Sequence, residues 1–96
     1  MESLSNSSVK NKRDMVQQIE NERQNRNINL QLNVEEEWLL EITLFDTSGD
    51  LVYNYSDFVK GGKINHKVNC TRLQSRQYIL RVAKNGKSEV KKLLVH

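Results

Sequence analysis

The stretch Gln77-Tyr78-Ile79-Leu80-Arg81-Val82, followed by Asn85-Gly86-Lys87 and Lys91-Lys92-Leu93-Leu94-Val95, decides the fold of this chain. Tyr78, Leu80 and Val82 fall on one phase of a two-residue period, the pattern of a strand with one face on a core. Asn85-Gly86 is the strongest short hairpin signal, because a type I′ turn needs positive φ at both central residues. A last strand follows over about residues 87–95. Upstream, Asp46-Thr47-Ser48-Gly49-Asp50 is a second turn signal. Asp46 can accept hydrogen bonds from the backbone ahead of it, and Gly49 accepts positive φ without steric cost.

The same period runs through the rest of the chain. Ile28, Leu30, Leu32 and Val34 alternate with Asn29, Gln31 and Asn33, giving a half-buried strand with one wet face. Glu35-Glu36-Glu37 breaks it as an acidic turn. Trp38, Leu40, Ile42 and Leu44 share one face of the next strand. Leu51, Tyr53 and Tyr55 are read as one face of a third, with Phe58 in the following loop folding back onto the core edge. Ile64, His66 and Val68 mark a fourth, and Leu73 plugs the loop before Tyr78. Six or seven short strands joined by turns, with no proline to demote any of them, read as an all-β antiparallel sandwich, immunoglobulin-like or fibronectin-like. A partly open barrel is the alternative. The Cys-Trp-Cys signature of true immunoglobulin domains is absent.

Ninety-six residues allow one small domain. Residues 1–27 are rich in Asn, Gln, Ser and charge. They read as a polar N-terminal tail, or as a weak helix over about 9–25 carrying Met15 and Ile19 four residues apart. The sandwich is then assigned to residues 28–96. Seven acidic residues and no Lys or Arg lie from Glu35 to Asp57, whereas ten Lys or Arg and a single acid, Glu89, follow from Lys60. Neighbouring strands of opposite charge account for that asymmetry more simply than a polyanion-binding face does. The net charge of +3 falls short of a dedicated nucleic-acid binder.

The chemistry-bearing residues form no reaction centre. Cys70 is the only cysteine, which rules out an intramolecular disulfide and a cysteine metal cluster. His66 and His96 show no metal-ligand spacing. Glu35-Glu36-Glu37 points its carboxylates to different sides, and Asp46, Ser48 and Asp50 lack the other ligands of a calcium loop. Ser48, Cys70 and Ser75 have no identifiable base. The reading is therefore non-catalytic, with no catalytic, metal or cofactor-binding residues and no cofactor. No apolar run is long enough to span a membrane, and the first residues lack the apolar core of a signal peptide. On that reading the protein either stays inside the cell or is a mature or trimmed form.

From about residue 28 to 95 the chain resembles the C-terminal sorting domain of the type IX secretion system, the secretion tail family. Ile42-Thr43-Leu44-Phe45-Asp46-Thr47-Ser48-Gly49 matches its strand ending in aromatic-Asp-x-x-Gly. Leu73 with Tyr78-Ile79-Leu80-Arg81-Val82 matches its Tyr strand, and Gly86-Lys87 with Lys91-Lys92-Leu93-Leu94-Val95 matches its ending. Two features depart from it. The opening Pro-Asn-Pro is missing, and Arg76-Gln77-Tyr78 stands where Gly-x-Tyr is expected. The resemblance implies a passive domain of a Gram-negative bacterium, secreted or at the cell surface or in the periplasm. Its partner would be secretion machinery, or a surface protein, engaging the segment Lys91, Lys92, Leu93, Leu94 and Val95 by strand addition. Asp46, Gly49, Asn85 and Gly86 would be its structural turns. A related alternative is a stand-alone secreted sandwich that binds a protein or glycan; a third is a small polyanion-binding protein.

Overall fold

The computed structural model describes residues 14–84 and 86–95. They form β1 (Val16–Glu22), β2 (Asn27–Val34), β3 (Trp38–Phe45), β4 (Leu51–Val59), β5 (Gly62–Asn69), β6 (Gln77–Lys84) and β7 (Lys87–Leu94). Three strands make one sheet in the order β1-β2-β5, and four make the other in the order β4-β3-β6-β7. Every pairing is antiparallel. The chain changes sheet between β2 and β3, between β4 and β5, and between β5 and β6, which is the immunoglobulin-like sandwich expected from the strand pattern.

The core lies between the sheets. Ile28, Leu30, Leu32 and Val34 of β2 face Leu40, Ile42 and Leu44 of β3 and Leu80 and Val82 of β6, all essentially without solvent exposure. Burying each such side chain stabilises the fold by about 1.5–3 kcal/mol before the entropic cost of ordering it. No charged or polar residue is buried with them among the described residues.

The weak helix expected over 9–25 is corrected for residues 16–22, which are β1. This strand pairs with β2 in a register running from Val16↔Leu32 to Glu22↔Asn27. A shift between Val16 and Gln18 places Val16 and Ile19 toward the core although they are three positions apart. That bulge destroys the two-residue alternation that would have marked a strand. Residues 1–13, Asn85 and His96 lie outside the described residues, and with them the tail reading of residues 1–13 and the Asn85 half of the hairpin signal.

Two further expectations change. The register between β3 and β4 skips a residue, so that Leu44 pairs with Tyr53 but Phe45 pairs with Leu51. Leu51 is thereby turned off the Tyr53–Tyr55 face and is 54% exposed. Phe58 does not fold back onto the core; it belongs to β4, opposite Leu39, and is 59% exposed.

The two sheets differ in what they expose. Trp38, Leu39, Leu51, Phe58, Val90 and Leu94, the large exposed hydrophobics among the described residues, all lie on the four-stranded sheet. The outer face of the three-stranded sheet shows Gln18, Glu20 and Glu22 from β1, then Asn27, Asn29, Gln31 and Asn33 from β2. From β5 it shows Lys63, Asn65, Lys67 and Asn69.

Candidate functional site: the outer strand of the four-stranded sheet

Strand β7 pairs with β6 from Gln77↔Leu94 to Lys84↔Lys87. It is the end strand of its sheet, and among the described residues nothing pairs with its other edge. The hairpin that launches it closes over two residues, and Gly86 has φ of 74°. In an L side chain that backbone conformation is strained.

Within the segment Lys91–Val95 the side chains alternate. Leu93 and Val95 are buried in the core, while Lys92 and Leu94 are exposed. The Val95 amide donates to the Arg76 carbonyl at 2.9 Å, which fixes the segment beyond the last ladder pair. Its side-chain anchors are thus inside, and its outer main-chain edge is open. An open edge of that kind can take an added strand through main-chain hydrogen bonds, and flanking Lys residues discourage indiscriminate pairing.

Glu89 of β7 has a different task. Its carboxylate accepts hydrogen bonds from the backbone amides of Met15 and Val16, the latter at 3.0 Å. It joins the start of β1 in one sheet to the edge strand of the other. This role is not legible in the sequence, because Glu89 stands alone among basic residues and its partners are main-chain groups.

On the opposite side of the sandwich, edge strands β4 and β5 meet through aromatic side chains. Tyr53 Oη lies 2.7 Å from His66 Nε2, and the Tyr55 ring centroid lies 4.2 Å from that of His66. Burial pushes the His66 pKa below its usual value and raises that of Tyr53. Burial thus favours the neutral imidazole at this seam between the sheets.

The turn at residues 46–50 is closed by its own groups. Asp46 Oδ1 accepts from the amides of Ser48 and Asp50, each at 2.9 Å. The Gly49 amide donates to the Asp46 carbonyl at 3.0 Å, with Gly49 at φ of 90°. Asp46 Oδ1 is thus engaged within the turn.

Two anchors of the β5–β6 connection were not visible in the sequence. Tyr78, at the start of β6, donates from its hydroxyl to the Gln74 carbonyl at 3.0 Å. This is the tyrosine corner of immunoglobulin-like sandwiches. Arg26 sits in the left-handed region at φ of 53°. Its guanidinium donates to the Leu73 carbonyl, and its own carbonyl accepts from the Cys70 amide at 2.8 Å. Cys70 itself is buried, and burial raises its thiol pKa, which keeps the thiolate nucleophile suppressed. Among the described residues no three His, Cys, Asp or Glu side chains converge as a metal site.

The class these features define is a small immunoglobulin-like sandwich with an open terminal strand edge. The family model of the secretion system C-terminal sorting domain matches residues 22–96. The chain belongs to that family. None of the curated proteins matches it. The match begins at the last residue of β1 and takes in all six later strands. Among the described residues no helix is long and apolar enough to cross a membrane.

Proposed function

We propose that this chain is a non-catalytic sorting signal, which directs a protein through type IX export and is read at β7. Family membership over residues 22–96 is the observation that carries the reading. The open edge of β7 supports the assignment of the recognised segment to Lys91, Lys92, Leu93, Leu94 and Val95. The partner is a protein of the secretion machinery that presents an extended strand. Acidic side chains on that strand complement Lys91 and Lys92. The Asp46–Gly49 and Asn85–Gly86 turns serve the fold and make no contact with the partner. The destination is the cell surface or the medium.

The test is export of a signal-peptide-bearing fluorescent reporter fused ahead of residues 14–96, in a bacterium that has the type IX machine. Reporter at the surface or in the medium, lost when Lys91–Val95 is deleted, is the expected result. A double charge reversal, Lys91→Glu with Lys92→Glu, keeps the buried Leu93 and Val95 and reduces export without unfolding the domain. Reporter held in the periplasm with the intact domain rejects the proposal.

A further inference from the structure

The outer face of the three-stranded sheet has a composition that a merely solvated face does not require. Of its eleven side chains seven are carboxamides, two are Glu and two are Lys. Asn is depleted in strands, where Thr, Lys or Glu would hold a wet face at lower cost. Yet Asn stands at 27, 29, 33, 65 and 69, on two adjacent strands.

One row across the sheet is carboxamide throughout. Gln18, Gln31 and Asn65 are in register across β1, β2 and β5. Two shallow depressions lie on this face, one lined in part by Gln18, Gln31 and Asn33, the other by Asn29 and Lys67. Gln31 and Asn65 line both, so that the two adjoin and together make up the trough of this face. At one end Glu22 is satisfied internally, accepting from Asn25 and Asn27 at 3.2 Å and pairing with Lys67 at 3.8 Å. In the trough itself the side chains of Gln18, Gln31, Asn33 and Asn65 have no hydrogen-bond partner among the described residues.

We infer that this trough binds a neutral, hydroxyl-rich polymer, namely a polysaccharide chain lying along the strands of this face. A carboxamide offers two donors and an acceptor with two lone pairs, and a sugar hydroxyl likewise both donates and accepts. Two Glu against two Lys leave the face without net charge, which favours a neutral ligand over a polyanion. The absence of large exposed hydrophobics from this sheet, against six on the other, removes the attraction that would draw a protein core or a lipid surface to it. Strand β2, eight residues long, gives the face a length of about 26 Å, room for several sugar units. The inference is independent of the sorting role and stands or falls separately.

The experiment is affinity electrophoresis of the full chain in native gels containing dextran, mannan or a linear β-glucan, with heparin as the charged comparison. Retardation by at least one neutral polysaccharide is expected. The double variant Gln31→Ala with Asn65→Ala weakens it by about tenfold, the effect of two neutral hydrogen bonds. Asn54→Ala with Ser56→Ala, on the outer face of the other sheet, leaves it unchanged. Both pairs are exposed, and a denaturation midpoint close to that of the parent confirms that each variant is folded. No retardation in any of the three neutral gels overturns the inference, as does retardation by heparin alone or equal loss in both variants. A self-associated form that the Gln31/Asn65 variant dissolves would make a second copy the occupant and overturn it as well.

Discussion

Replacement of Tyr78 by Phe isolates one hydrogen bond that holds the β5–β6 corner. The ring is 3% exposed and stays in place; only the hydroxyl that donates to the Gln74 carbonyl at 3.0 Å is lost. A neutral intramolecular hydrogen bond contributes about 0.5–1.5 kcal/mol net, and this one, made from a buried ring, is placed at the upper end of that range. The expected destabilisation is about 1.5 kcal/mol. In a domain of this size that lowers the melting temperature by roughly 6–12 °C. The chain's other two tyrosines supply internal controls. Tyr55 donates to Asp57 at 3.2 Å in an exposed setting, so Tyr55→Phe stays within about 0.5 kcal/mol of the parent. Tyr53→Phe, which strips His66 of its partner at 2.7 Å in a half-buried site, falls between at about 1 kcal/mol. Urea denaturation followed by the single tryptophan, Trp38, measures all three. A Tyr78→Phe midpoint shift no larger than that of Tyr55→Phe would refute the corner as a stabilising device.

Three further outcomes follow from the fold. Burial depresses the His66 pKa, so the unfolded chain takes up a proton near pH 6.5 while the folded one does not. The stability is complete above that value and declines as pH falls through it toward the folded pKa. The urea midpoint therefore drops between pH 7.5 and 5.5, and His66→Gln flattens the dependence; a flat parent profile contradicts it. Below that window Glu22, its carboxyl held down mainly by Asn27 and Asn25, loses its contribution as pH falls through its folded value. Removal of residues 1–27 strips β1 from β2 and uncovers core that Met15 and Val16 close. Residues 28–96 alone are expected to lose cooperative unfolding by circular dichroism while residues 14–96 keep it; equal transitions in both would show β1 to be dispensable.

Most of the sandwich was legible because the core-facing residues of β2, β3, β5 and β6 stand two apart without a break, and turns at Gly49 and Gly86 mark where β4 and β7 begin. The reading failed where the period is interrupted. The bulge between Val16 and Gln18 hid β1, and the skipped residue between Tyr53 and Leu51 sent Leu51 to the wrong face. The final strand was legible as a candidate site from its Lys-Lys-Leu-Leu-Val ending, but its position at the sheet end depends on pairings between distant strands. The amide trough was half legible. Asn29, Gln31 and Asn33 show a wet face in sequence, whereas Asn65 joins it only because β5 crosses over to lie beside β2. Arg26, Tyr78 and Glu89 act on main-chain groups, and such partners leave no trace in side-chain pattern.

The Glu89 clasp has a consequence for synthesis. Its hydrogen bonds reach back 74 and 73 residues to Met15 and Val16. During translation β1 and β2 can pair early, yet the leading end of β1 has no side-chain anchor until position 89 has left the ribosome. A chain cut short before that point keeps most of its strands and lacks this fastening, and with it the strand on which we place recognition. The fastening of the first strand thus depends on the last having been made, so that, on the proposed reading, an incomplete product lacks both this clasp and the recognised segment.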